Sequence, residues 1–209
     1  MGLKNSTDLS SQFISKIDSL DITRSRMDKL FFERKIFKND INHVYEGMFL
    51  KAVTAFESYI ERLFIGLLQN EYKLPTRKRV TKVVFDNRRI ATDIVSFGQP
   101  YADWLPFEKL KKRAELFYLE GKPFTDLDPN DKNILAQVMA IRNAIAHKSS
   151  YSDKIFCNRV TSVSPGLPLH NQTPAGYLRY VFRSGPDQTK FQNYMFDLSN
   201  IATKIASYS

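Results

Sequence analysis

The sequence predicts an all-α fold, an up-and-down helical bundle that forms one domain over residues 1–209. Gly (8) and Pro (9) are few and fall in a small number of places, which favours long uninterrupted helices over strands and turns. Hydrophobic residues make up 43% of the chain, with 16 Phe and 10 Tyr, enough for a sizeable core. Several long stretches place apolar residues three or four positions apart, which is the period of one face of an α-helix.

The first two helices are predicted from caps and apolar spacing. Ser6 and the residues after it can cap a helix that runs to about Phe37, and a second helix follows from about Asp40 to Tyr72. The second helix is the longest, and we expect it to be the spine of the bundle. Its apolar stripe consists of Phe49, Val53, Phe56, Ile60, Phe64 and Leu67.

The middle of the chain changes character. Residues 73–104 combine basic clusters with poorly alternating apolar residues, and we interpret them as an insertion or long connection with a short helix at 91–97. A third long helix is predicted over about 106–120. It ends where Gly121, Lys122 and Pro123 give a normal helix stop.

The fourth long helix is predicted from Pro129 to His147. Asp128 suits its N-cap, Pro129 suits the first helical position, and Asp131 lies in the first turn, where a carboxylate is favourable. A short helix over 153–163, a proline-rich loop over 164–175 and a last amphipathic helix over 188–207 complete the chain.

Composition limits the classes of function. The formal net charge is +9, which favours a polyanionic partner, although a basic protein without a nucleic acid partner has the same charge. A single cysteine, Cys157, excludes an internal disulfide framework and a zinc site made only of cysteines. The sequence shows no signal-peptide core and no apolar stretch long enough to span a bilayer, so we expect a cytoplasmic protein.

Basic residues offer candidate contacts to RNA phosphates. They are concentrated between residues 73 and 104, with one more directly after the fourth long helix; the alternative is that they only solvate a loop. The candidates are Arg77, Lys78, Arg79, Lys82, Arg88, Arg89 and Lys148.

The candidate catalytic group is Arg142, Asn143 and His147, called here the motif residues. The chain lacks a Gly-rich phosphate loop, the zinc-protease helix motif, paired cysteines and a serine nucleophile elbow. An arginine binds phosphate through its planar fork, an asparagine both donates and accepts hydrogen bonds, and a histidine moves protons near neutral pH. Together these groups suit RNA cleavage in which the 2′-OH attacks the adjacent phosphate, without a metal ion or a cofactor.

Structural roles for the same residues remain open alternatives. Arg142 could pair only with Glu57, which lies in the apolar sector of the second helix and needs a partner. In that case Glu57 is structural; otherwise it supports the site by orienting Arg142 or a substrate group. Asn143 could be a helix-packing amide, and His147 could be a C-terminal helix cap.

A second face of the fourth helix predicts a homodimer. Ala136, Ala140, Asn143 and His147 lie roughly opposite the apolar stripe, and the two small residues would let another backbone approach closely. The cleavage reaction needs both a base and an acid, and each chain has one motif histidine. A two-fold dimer with Ala136 and Ala140 at its interface would supply two.

These residues resemble the HEPN superfamily (higher eukaryotes and prokaryotes nucleotide-binding domains). Arg142 to His147 fits its R-x4–6-H motif, in the common form with Asn after Arg. The segments Tyr45-Glu46-Gly47 and Ala55–Glu61 are similar to the long helix of prokaryotic HEPN ribonuclease-like families, and the resemblance covers about residues 10–165.

The resemblance implies a helical homodimer and a metal-independent endoribonuclease that leaves 2′,3′-cyclic phosphate ends. It also implies a role as a toxin or an antiviral effector in abortive infection or beside a restriction system, with a cognate antitoxin or defence-system protein as a further partner. Some members of the superfamily are non-catalytic binding or regulatory modules, which is the alternative expectation.

Overall fold

The computed structural model describes residues 3–76, 78–100, 102–181 and 187–209. The chain is mostly helical, which confirms the predicted all-α class and a helical bundle. In the described residues the α-helices are α1 (Ser6–Phe32), α2 (Lys38–Leu68), α3 (Arg88–Val95), α4 (Phe107–Phe117), α5 (Pro129–His147), α6 (Ser150–Phe156), α7 (Pro174–Arg179) and α8 (Lys190–Ala206). Two short parallel strands, β1 (Lys4–Asn5) and β2 (Tyr72–Lys73), pair with each other.

The chain divides into two compact units that interleave along the sequence. The first unit comprises Met1–Ile14, Ala55–Leu135 and Ser199–Ser209, and the second comprises Ser15–Thr54 and Ala136–Leu198. The four longest helices, α1, α2, α5 and α8, each have residues in both units. The division of the chain into one domain therefore stays a prediction.

An aromatic cluster on α2 forms the centre of the first unit. The ring of Phe64 lies 5.1 Å from that of Trp104, 4.8 Å from Tyr118 and 4.9 Å from Phe124, between ring centroids. The Tyr118 hydroxyl donates to the Phe64 carbonyl at 2.5 Å, and burial raises the pKa of Tyr118. Such ring pairs contribute beyond the area they bury, so residues far apart in sequence are held together.

Residues 73–104 belong to this first unit and are anchored to it by a buried arginine. Arg113 of α4 donates from Nε to the Val95 carbonyl and from Nη1 to the Asp103 carbonyl, both at 2.9 Å. Its guanidinium also lies 5.0 Å from the Trp104 ring centroid, and burial lowers the pKa of Arg113. Within its described residues this segment contains α3, and it packs against α4 through Val95 and Asp103. Whether it is an insertion or a long connection stays a prediction.

The second unit contains an ionic cluster and an aromatic seam. Arg24 of α1 binds Asp28 through Nη1 at 2.7 Å, and the Tyr45 hydroxyl of α2 donates to the same carboxylate at 2.9 Å. The Phe191 ring of α8 lies edge-on to Tyr45, with 5.6 Å between centroids. Helices α1, α2 and α8 therefore meet in this unit.

The turn between α1 and α2 differs from the prediction. Helix α1 ends at Phe32 rather than near Phe37, because Arg34 adopts the left-handed conformation (φ 58°) and cannot continue the helix. Helix α2 begins at Lys38, where the Asp40 carboxylate accepts from the Phe37 N–H at 2.8 Å. The backbone conformation of Arg34 and the side-chain cap from Asp40, rather than apolar spacing, set the two boundaries.

Candidate active site

The start of α5 is held by reciprocal caps. The Asp131 N–H donates to Asp128 Oδ1 at 2.9 Å, and the Asp128 N–H donates to Asp131 Oδ2 at 3.2 Å. Lys204 Nζ binds the two carboxylates at 2.8 and 2.7 Å. The bond from Lys204 and the backbone bond from Asp131 lower the pKa of Asp128 to about 2. The predicted N-cap is confirmed, and α5 runs from Pro129 to His147 as predicted.

The motif residues meet at the other end of α5. Arg142 Nη1 donates to Asn143 Oδ1 at 3.0 Å and lies 3.4 Å from His147 Nε2. A guanidinium has no acceptor, so this contact is a hydrogen bond when Nε2 carries the lone pair and the proton is on Nδ1. One nitrogen of Arg142 therefore touches both other members of the group.

The end of α5 presents this group to solvent. Arg142 and Asn143 are half-buried, whereas His147 is exposed. The chain turns immediately afterwards, since Lys148 adopts the left-handed conformation (φ 42°) and Ser149 caps α6 through reciprocal bonds with Ser152. The histidine thus lies on the last turn of a long helix, accessible to a substrate in solution.

Ala140 is buried within its own chain. Its side chain is only 2% exposed within the single chain, and Ala144, one turn later on the same face, is 4% exposed. Gln137, one turn earlier, accepts from the Tyr194 hydroxyl of α8 at 2.7 Å. The Ala140 side chain is therefore covered by this chain itself, which contradicts its predicted interface contact. Ala136 is half-buried, and its place at an interface stays a prediction.

Glu57 lies on α2, half-buried, in the first compact unit, whereas the motif residues belong to the second. Its predicted support of the site stays a prediction. Arg142 itself contacts the amide of Asn143 and the imidazole of His147. The contacts among Arg142, Asn143 and His147 are thus local, between side chains of one helix.

Part of the predicted RNA-binding set is engaged with its own chain. Arg79 donates from Nε to the Thr81 carbonyl at 2.8 Å and from Nη2 to the Lys82 carbonyl at 3.2 Å. Lys82 Nζ donates to the carbonyl of Glu115 at 2.5 Å. The Arg79 bonds stabilise residues 79–82 internally, and the Lys82 bond joins them to α4, so the two side chains have a structural role in this segment.

The remaining candidates differ in accessibility. Arg88 pairs with Glu71 at 3.1 Å, a half-exposed ion pair of the kind that contributes little to stability. Lys78, Arg89 and Lys148 are exposed, and Arg77 lies outside the described residues. Contact of these residues with RNA stays a prediction.

Within the described ranges, no three His, Cys, Asp or Glu side chains lie together so as to hold a metal ion. No helix in this part of the chain is long and apolar enough to cross a membrane. No protein-family model matches the sequence, and neither the curated proteins nor the solved structures include a significant match to it.

Proposed function

We propose that this chain is a cytoplasmic endoribonuclease of the HEPN type, with Arg142, Asn143 and His147 as its catalytic residues. One observation carries the proposal: Arg142 Nη1 contacts both Asn143 Oδ1 and the exposed His147 Nε2. A phosphate-binding fork, an uncharged amide and a proton-transfer group thus lie within one hydrogen-bonded group. These are the components that cleavage of RNA by its own 2′-OH requires.

In the proposed reaction a histidine accepts the proton of the 2′-OH as that oxygen bonds to the adjacent phosphorus. The bond from phosphorus to the 5′ oxygen breaks, and the departing oxygen takes a proton from an acid. The products are a 2′,3′-cyclic phosphate and a 5′ hydroxyl, and no water is consumed. Arg142 would bind the non-bridging phosphate oxygens, where negative charge grows, and Asn143 would orient the guanidinium.

The reaction needs a base and an acid at the same time, and each chain brings one motif histidine. We propose a two-fold homodimer in which His147 of each copy takes one role. The exposure of His147 and the half-buried positions of Asn143 and Ala136 support an interface along this side of α5. The buried Ala140 lies outside that interface.

The resemblance of the motif to HEPN toxins and antiviral effectors supports a role in growth arrest, with a cognate antitoxin or defence-system protein as regulator. Expression of the wild-type chain should then slow cell growth, whereas expression of His147→Ala should not. Equal growth of the two cultures at equal protein levels would contradict the toxin role.

The decisive experiment is incubation of purified protein with total RNA, with and without EDTA. We expect cleavage in both conditions, with 2′,3′-cyclic phosphate ends, and no cleavage by His147→Ala. The matched control is His43→Ala, because His43 is also an exposed histidine on a long helix. RNA that is bound but never cut would mean a non-catalytic binding module. Activity that is lost in EDTA and restored by magnesium would overturn the mechanism.

The shared site can be tested by mixing. An excess of His147→Ala protein should convert wild-type dimers to mixed dimers and suppress cleavage below the level expected from dilution. Light scattering on the same samples should show a dimer. Simple dilution behaviour, or a monomer that cleaves at full rate, would remove the need for a second histidine.

A further inference from the structure

A cavity of about 370 Å³ in the second unit lies between the α1–α2 turn and α7. Its lining includes the cationic or titratable side chains Lys38, His170 and Arg179 and the rings of Phe31 and Tyr180. The described residues that line it include no carboxylate. Its volume is within the range of about 300–1,000 Å³ found for ligand sites. We call this cavity the tip groove.

Arg179 is held in place without being neutralised. Its Nη1 donates to the neutral amide oxygen of Asn42 at 2.8 Å, and its guanidinium carbon lies 4.6 Å from the Phe31 ring centroid. In the described part of the chain, neither a carboxylate nor another acceptor bonds its Nε or Nη2. A half-buried, oriented guanidinium with a free edge is the arrangement that binds a phosphate through two parallel hydrogen bonds.

The acidic side chains of the neighbouring turn already have partners. Glu33 pairs with Lys35 at 2.7 Å, and the Asp40 carboxylate accepts from the Phe37 N–H at 2.8 Å. Lys38, the first residue of α2, is exposed and forms no ion pair within the described ranges. Neither Glu33 nor Asp40 lines the tip groove, so its positive charge is available to an external anion.

Two aromatic rings project into solvent beside this charge. Phe32 is 81% exposed and follows Phe31, with 6.2 Å between their ring centroids, and Phe37 is 82% exposed and precedes Lys38. Large rings left in water next to cations are typical of surfaces on which unpaired bases stack while phosphates follow a positive groove. An anionic membrane also attracts such side chains. The recessed fork of Arg179 favours a flexible phosphodiester strand, which can enter a cavity.

We propose that the tip groove binds single-stranded RNA, with phosphates at Arg179 and Lys38 and bases stacked on Phe32 and Phe37. This inference rests on the proposed function, since RNA is the substrate there, and it adds a docking surface within the same unit as the motif residues. The RNA contacts predicted from the sequence lie elsewhere in the chain, because Phe31, Asn42 and Arg179 come together only in the folded chain.

Binding is measured as the fluorescence anisotropy of a labelled, 2′-O-methylated oligouridine, which cannot be cleaved through its 2′ position. The variant Phe32→Ala/Phe37→Ala should lose about fivefold or more in affinity, the lower end for one stacked base. Lys38→Ala should lower the slope of log affinity against log salt by about 0.7, the value for one phosphate contact on a single strand. Because these side chains are exposed, the variants should keep the wild-type circular dichroism.

Matched controls come from the same unit. Phe196→Ala removes an exposed ring from α8, and Lys51→Ala removes an exposed lysine from α2. Both should leave affinity and salt dependence unchanged. Arg179→Lys, which keeps the charge and removes the fork, should weaken binding while Arg179→Ala weakens it further.

The outcomes separate this inference from the proposed function. If the variants of the tip groove bind the oligonucleotide as tightly as the wild type, the inference is overturned even if the protein cuts RNA. If binding depends on the tip groove but the protein never cuts RNA, the inference is supported and only the proposed ribonuclease activity is overturned. Tip-dependent binding to phosphatidylserine vesicles without binding to the oligonucleotide would overturn the inference in favour of a membrane surface.

Discussion

Replacement of Arg142 by lysine tests the proposed chemistry at a single group. Arg142 Nη1 makes the contacts of 3.0 Å to Asn143 Oδ1 and 3.4 Å to His147 Nε2. Lysine keeps the positive charge but lacks the planar fork, so one ammonium cannot bind the phosphate in two places while also contacting both neighbours. We expect Arg142→Lys to slow RNA cleavage, although the positive charge of the lysine still attracts RNA.

The magnitude follows from the number of bonds lost. A hydrogen bond that involves a charged group contributes about 1.5–3 kcal/mol, and half-exposure of Arg142 argues for the lower end. Loss of one bond to the phosphate thus slows the reaction about tenfold, since about 1.4 kcal/mol corresponds to a factor of ten. Misplacement of His147 adds a second loss of similar size, so we expect a rate about 10–100-fold below wild type.

The assay is single-turnover cleavage of a labelled RNA by Arg142→Lys, His147→Ala and the double variant. If both residues act on the same step, the double variant should be no slower than His147→Ala alone. Circular dichroism should show wild-type helix content and a melting temperature lowered by less than about 2 °C, because the side chain is half-exposed. An Arg142→Lys protein that cleaves at the wild-type rate would refute the role given to the guanidinium.

Two further predictions concern stability and assembly. Ala140→Lys should lower the melting temperature strongly or prevent folding, since it would bury an unpaired ammonium at a position 2% exposed, whereas Ala136→Lys should stay folded and lose the dimer in light scattering. Lys204→Met should make the protein unfold at higher pH in an acid titration followed by circular dichroism. The sign follows from Asp128, because folding lowers its pKa from the ordinary value of 3.8 to about 2. Its ionised carboxylate therefore stabilises the folded chain above pH 3.8, and this stabilisation is lost as the pH falls towards 2. An unchanged acid midpoint would mean that Lys204 does not stabilise the folded carboxylate.

The local part of the candidate site could be predicted from the sequence. The cap at Asp128, the start at Pro129 and the end at His147 depend on bonds between residues at most a few positions apart. The meeting of Arg142 with Asn143 and His147 is likewise a contact within the last turns of one helix. Such contacts follow from helical geometry, whatever the rest of the chain does.

The sequence by itself determined the helical class, the extent of α5 and the local grouping of the motif residues, because periodicity and caps act over one or two turns. Only the tertiary structure decided which faces are covered. It buries Ala140 within its own chain, whereas the helical wheel placed that residue at a dimer interface, and it joins Asn42 to Arg179 across 137 positions of the chain. Packing between distant segments sets these features, and no short-range pattern in the sequence encodes them.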